Sequence, residues 1–234
     1  MDEENKIKPL YEKEIQCPIC DYKFMVTKTR GKFLKLDSRD TDNCPYYEGI
    51  NPILYTAYIC PECGYGALER HFSDVTVNGK AEVKKQITPK WKRREYHGEI
   101  SVEKSIEIHR IVLLNYTVMH YPYDEIGKLC LKISWLYRYL KSPKETEFLV
   151  NAYKMFEKAY SNEPLEENPK NEANILFLMG EIARRLEKFK ESIEWFGIAL
   201  KSDGMKENPA LEKQAREQWN EAKQQYKSLE KNKE

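Results

Sequence analysis

The sequence predicts an α+β protein, with a small β-rich front half and an all-helical back half. Three observations predict it. Two Cys-Pro-x-Cys turns, CPIC at 17–20 and CPEC at 60–63, stand in the front half among short β-type runs. After His97-Gly98 the apolar period becomes helical and stays so. Within the helical part, residues 152–164 and 192–204 repeat the same packing residues at an offset of 40 residues. The expected division is residues 1–97 and residues 98–234.

Composition narrows the functions. The chain has 234 residues, 41% of them apolar, with 39 Lys and Arg against 38 Asp and Glu. A balanced charge argues against a protein built to coat nucleic acid. The stretch MDEENKIKPLYEKE has no apolar core of a secretory signal, and no apolar run approaches the roughly 18 residues a membrane span needs. Cytoplasmic placement is the expectation. In that reducing compartment, paired cysteines are metal ligands or redox groups before they are disulfides.

Taken in order, FMVTKT and KFLKL flank a turn at Arg30-Gly31 and read as a hairpin. ILYTAYI runs β-rich into the second cysteine pair. Residues 80–97, with Pro89 and few apolar residues before Trp91, read as a connector. The window from Lys80 to Arg94 holds seven basic residues and one acidic one.

The two CPxC turns carry the chemistry. Two residues between cysteines let one tight turn aim both sulfurs at a point. Pro18 and Pro61 stiffen the turns, and Gly64 permits φ > 0 just after the second. Cys17, Cys20, Cys60 and Cys63 are therefore the expected ligands of one closed tetrahedral site, which has no vacant position and is structural. Zinc is the expected metal, making the front half zinc-ribbon-like. The 39 residues between the pairs make a longer insertion than most zinc ribbons have, which loop-closure entropy tolerates. CPECG also resembles rubredoxin, which binds iron, but Asp21 stands where the first rubredoxin knuckle has Gly. No thioredoxin-like pattern supports a redox pair. Cys130 lies on an apolar helical face and reads as core. Cys44 reads as a packed thiol, with a reserve ligand as the other reading. His71 reads as a bystander.

In the helical half, Ala152, Phe156 and Ala159 match Ser192, Phe196 and Ala199. Positions i, i+4 and i+7 share one helical face. The preceding helices carry Met179, Gly180 and Ala183, and Ile133, Ser134 and Tyr137. This resembles the tetratricopeptide repeat, a pair of antiparallel helices with such small and aromatic positions. Gly180 to Phe196 has that family's spacing of 16, whereas Ser134 to Phe156 spans 22, so the loop KSPKETE is expected to hold about six extra residues. Residues 101–121, with Ser105, His109 and Val112, read as part of a degenerate first repeat. The tail from Asn208 reads as a capping helix with a frayed end. A generic helical bundle is the plainer alternative.

The segment LDSRDTDNCPYYEGINPILY remains. Asp37, Arg39, Asp40 and Asp42 suit a polar pocket or an Arg–carboxylate network. The plainer reading, a solvated loop capped by Asx turns, is the one expected.

Taken together, YEKEIQCPICDYKF, SRDTDNCPYYEGINPILY and YICPECGYGALERHF resemble the bacterial domain-of-unknown-function family 2225. That family has two CPxC knuckles, an RDxD-type loop, an NPxxY element and a tetratricopeptide-like C-terminal region. The resemblance covers most of the chain. It implies that Arg39, Asp40, Asp42, Tyr47, Asn51, Pro52 and Tyr55 are family features, and it implies no enzyme class.

The expected function is non-enzymatic: a zinc-binding adaptor or scaffold whose helical groove binds a protein or peptide. The alternative is a nucleic-acid-binding zinc ribbon using segment 80–94, where basic residues would grip phosphates and Trp91 would stack a base. An enzyme built on the acidic loop has no nucleophile–base pair, phosphate-binding Gly loop or HExxH to support it.

Overall fold

A computed structural model describes residues 7–231. The chain is α+β. A small region of β-hairpins with the cysteine cluster precedes a mostly helical region. Two compact units emerge. One contains the described residues up to Ser38 and Pro45–Tyr121. The other contains Arg39–Cys44 and the residues from Pro122 onward. The last residues of the tail, where a frayed end is expected, lie outside the described residues.

In the first unit, β1 (Leu10–Gln16) pairs antiparallel with β2 (Lys23–Thr29), Gln16 opposite Lys23 and Leu10 opposite Thr29. The first CPxC turn closes this hairpin. β2 therefore does not pair across Arg30-Gly31, as the sequence suggested. Gly31–Phe33 is instead one 3₁₀ turn, followed by β3 (Lys35–Arg39), whose partner is β4 (Pro45–Glu48). The Asn-Pro element forms a second 3₁₀ turn, where the Asn51 side chain accepts the Ile53 N–H at 3.0 Å. β5 (Ala57–Ile59) and β6 (Gly66–Leu68) then pair antiparallel around the second CPxC turn.

The expected connector is structured over its first half. α1 (Val77–Glu82) is capped by the Thr76 side chain and runs on through a π-turn at Val83–Ile87 and a 3₁₀ turn at Thr88–Lys90. Val83 and Ile87 are buried. Their i, i+4 spacing puts both on one face while the lysines between them face solvent.

α2 (Val102–Val118) packs on β5 and β6 and belongs to the first unit. Ser105, His109 and Val112 are buried there. His109 Nδ1 lies 2.7 Å from the Ser105 carbonyl oxygen, and its Nε2 lies 3.2 Å from Thr56 Oγ1. Asn115 donates to the Gly64 carbonyl at 3.1 Å. The compact units thus divide at residue 121, whereas the change of sequence period falls at 98. The helix is local in pattern but takes its core from the hairpins.

The second unit is built from helix pairs. α3 (Tyr123–Tyr139) and α4 (Lys144–Asn162) are joined by residues 140–143. α5 (Pro169–Arg185) and α6 (Phe189–Ala199) are joined by residues 186–188. Such short links force each pair antiparallel. α7 (Asp203–Lys206) and α8 (Pro209–Lys231) complete the unit, with α8 packed on α6 and α5. Both pairs turn by the same Schellman motif. Lys141 and Glu187 take φ of 51° and 60°, and Ser142 and Lys188 donate back to Tyr137 and Ala183 at 3.0 and 2.9 Å.

All six matched residues, Ala152, Phe156, Ala159, Ser192, Phe196 and Ala199, are buried. Phe196 packs on Gly180, where a Cβ would come within 2.7 Å of the ring. Of the six extra residues of the first pair, one lies in the link and five lengthen the start of α4. This carries Phe156 two turns further along, so it meets Gly127, at 2.6 Å from a built Cβ, instead of Ser134.

Candidate metal centre

The two CPxC turns fold alike. Cys17 and Cys60 close each hairpin, their N–H groups donating to Tyr22 and Tyr65 at 2.9 and 2.7 Å. Asp21 and Gly64 donate back to the Cys17 and Cys60 carbonyls, both at 3.0 Å. The residue after each second cysteine is left-handed, φ 61° at Asp21 and 75° at Gly64. Asp tolerates this conformation better than most side chains do, so Asp21 fills the role of the expected glycine.

At Gly64 there is a second demand. Trp91 lies across it, and a Cβ there would come within 2.5 Å of the indole. The indole Nε1 donates to Pro61 O at 2.8 Å, and Thr88 Oγ1 donates to Cys63 O at 3.1 Å. The stretch after α1 therefore clasps the second turn. Gly64→Ala should destabilise this unit by about 2–3 kcal/mol, from backbone strain plus displaced indole. Asp21→Gly should stay within about 1 kcal/mol of wild type. Urea unfolding of the two variants checks both.

The four sulfurs converge. All lie within 4.8 Å of one another, with Cys17 to Cys63 at 3.6 Å and Cys20 to Cys60 at 3.7 Å. A tetrahedron of metal–sulfur bonds of about 2.3 Å has edges of about 3.8 Å, so the cluster has the size of one four-thiolate site. Cys17, Cys60 and Cys63 are buried and Cys20 is exposed. Disulfide bonds would need about 2 Å between sulfurs; these are free thiols.

The electrostatics favour a cation. Hydrogen bonds from Cys17 and then Cys63 drive the Cys60 thiol far down, while Cys60 pushes Cys17 up, and Cys17 and then Cys60 push Cys63 up. Thiolates packed this closely repel one another, and a bound divalent ion reverses that repulsion. Backbone N–H groups support the charged form: Ile19 and Cys20 face the Cys17 sulfur, and Glu62 and Cys63 face that of Cys60. The cluster can hold a metal ion such as zinc.

Cys44 and Cys130 stand outside the cluster. Both are buried, and burial pushes their thiols up to about 11 and about 12. Cys44 lies 3.7 Å from Tyr139 Oη. His71 is also outside the cluster; its Nδ1 is 2.8 Å from the Tyr116 hydroxyl.

The family can now be placed. The sequence profile described as "Uncharacterized protein conserved in bacteria (DUF2225)" matches residues 10–222. The chain belongs to the DUF2225 family. No curated protein and no solved structure matches it. The matched span takes in both knuckles and all six helices of the second unit, α3 through α8, up to residue 222.

The DUF2225 loop at 37–42 departs from the expected solvated loop. Asp42 exposes none of its side chain. Arg138 grips it with two parallel bonds, 2.9 Å to Oδ1 and 2.7 Å to Oδ2, and Trp135 Nε1 donates at 3.0 Å. Arg138 also reaches Asp40 at 2.6 Å and Glu145 at 2.7 Å. Arg185 adds a charge 3.5 Å from Asp42. Burial alone would push the Asp42 carboxyl up, but the Arg138 bonds and the Arg185 charge outweigh it and hold it below the usual range. The expected Asx turn is present as well, Cys44 N–H on Asp42 Oδ1 at 3.3 Å. Arg39 is exposed. Tyr55 accepts the Ile100 N–H at 3.2 Å.

In the basic segment, Arg93 pairs with Glu62 and Glu95 at 3.1 and 3.3 Å, and Arg94 with Glu107 at 3.1 Å. No helix among the described residues is long and apolar enough to cross a membrane.

Proposed function

We propose that the chain is a non-enzymatic zinc-binding adaptor, in which a structural metal stiffens the first unit and tetratricopeptide-like helix pairs offer a surface to a protein partner. The observation that carries this is the closed shell. Four thiolates at tetrahedral spacing leave no position for water or substrate, so Cys17, Cys20, Cys60 and Cys63 would hold zinc as a scaffold element. Zinc supplies no chemistry there beyond cross-linking the two turns.

The helical reading is supported by Phe156 on Gly127 and Phe196 on Gly180, the small-against-aromatic contact expected of stacked pairs, and by the shared Schellman turns. Cytoplasmic placement is part of the proposal, since a reducing compartment keeps thiols available for metal. The nucleic-acid alternative is less favoured at three of its residues: Trp91 is engaged on the second knuckle, and Arg93 and Arg94 are paired with carboxylates in exposed ion pairs.

The test is elemental analysis with zinc-edge X-ray absorption on the purified chain. One zinc per chain with four sulfur ligands at about 2.3 Å is expected. A water or other exchangeable oxygen ligand on the zinc would open the shell and overturn the scaffold reading.

A further inference from the structure

We infer that the helical unit carries a docking seat for a tight acidic turn of the Asp-x-Asp type, and that residues 39–44 fill this seat in cis. The inference rests on reading the helical unit as an interaction module and names the chemistry of its ligand.

The turn is compact. Asp40 N–H donates to Cys44 O at 2.8 Å, Asn43 N–H donates to Asp40 O at 2.9 Å, and Asn43 takes φ of 67°. It is held by side chains from α3, α5 and α8. Aligned on their Schellman ends, α3 and α5 are offset by 46 residues, which makes Arg138 equivalent to Arg184 and Tyr139 equivalent to Arg185. All four touch the turn. Arg138 holds Asp40 and Asp42. Tyr139 meets Cys44. Arg184 and Arg185 reach Thr41 Oγ1 at 3.4 and 3.0 Å, and both are bound to Glu181, which also contacts Thr41. From α8, Gln214 donates to the Thr41 carbonyl at 2.9 Å.

Two successive helix pairs thus present corresponding side chains to one short segment. Repeat proteins bind separate ligands in this way, one position per repeat reading one part of the ligand. The seat reads carboxylate geometry through a bidentate guanidinium and reads backbone through an amide. A partner with an Asp-x-Asp turn would meet the same donors once 39–44 leaves. While tethered, the turn holds an effective concentration in the millimolar range, so the intact chain is closed to weaker competitors.

The experiment uses the full chain with residues 39–44 replaced by six Gly/Ser residues. The probe is a fluorescein-labelled cyclic peptide carrying Ser38–Pro45, read by anisotropy in reductant. The linker chain is expected to bind it at least ~100-fold more tightly than wild type, the cis ligand being gone. Adding Arg138→Met to the linker chain, or changing both peptide aspartates to Asn, should each weaken binding at least ~10-fold. Absence of binding by the linker chain, or binding indifferent to both changes, overturns the inference. Loss of helical circular dichroism in the linker chain overturns it too, because the turn would then be core and not ligand. The zinc-ligand measurement is independent of this result, so either reading can fail alone.

Discussion

Cys60→Ser is expected to abolish zinc binding and unfold the β-rich unit while leaving most of the helical signal intact. Cys60 closes the second hairpin and sits 3.7 Å from Cys20 across the cluster. Serine keeps the shape but not the thiolate, and three soft ligands plus a hydroxyl bind zinc far more weakly. The effect is expected to be large because metal binding at this cluster would be coupled to folding. The hairpins are short, three residues a strand in β5 and β6, and two-stranded hairpins are marginal in water. Structural zinc supplies about 10–16 kcal/mol in small zinc-finger peptides, as much as the net stability of a whole domain, about 5–15 kcal/mol. Zinc content near zero and a lost first thermal transition are the readouts. Chelation of the wild-type chain should reproduce both. Cys130→Ser and Cys44→Ser, outside the cluster, should keep a full complement of zinc and cost about 1–3 kcal/mol each as buried polar changes. If Cys60→Ser retained zinc and its melting profile, the cluster would not be the metal site.

That contrast follows the line between what was legible in the sequence and what was not. The knuckles are local. A CPxC turn followed by a left-handed residue is encoded within six residues, so the sequence alone shows the φ at Gly64 and the four ligands. The helix faces were legible for the same reason, since Ala152-Phe156-Ala159 is one stripe of one helix. Some pairings between elements are not, although Gly180 against Phe196 is. β1 carries three successive charges along LYEKEIQ and hides its strand, and its hairpin turn is itself the first knuckle, so the sequence points β2 to the wrong partner. Phe156 was read against Ser134 because an insertion that continues a helix looks, in sequence, like one that lengthens a loop. Trp91 carries a signal, with Ile87 and Val83 four and eight residues before it, all buried or half-buried. The acidic loop was least legible of all. Its partner Arg138 is 96 residues from Asp42, and nothing local to RDTDNC distinguishes a clamped aspartate from a solvated one.

Arg138→Met is expected to destabilise the helical unit by about 3–5 kcal/mol, the usual cost of breaking one side of a buried ion pair. The guanidinium is the hub of three carboxylates. Without it, Asp40, Asp42 and Glu145 face one another with Asp42 fully buried, and like charges at that range repel. Asp42→Asn should cost less, because the amide oxygen still accepts from Arg138 and Trp135. The double variant should cost clearly less than the sum of the singles, by about 1–3 kcal/mol, since the second change removes a charge the first had stranded. The pH dependence has a fixed sign. Asp42 is depressed in the folded state, so its contribution is fully present above the unfolded carboxyl value of about 3.9 and is lost as pH falls through the folded value. Asp124, held down through Lys128 and Asn171 against its own burial, titrates in the same window. The Asp42 share is therefore read as a difference. Wild type minus Asp42→Asn should be constant from pH 7 to about 5, then shrink below about pH 4, with a slope of up to about 1.4 kcal/mol per pH unit for one proton. Urea unfolding followed at 222 nm across that range measures it. A difference that does not shrink with acid would mean that Asp42 is not the charged partner of Arg138.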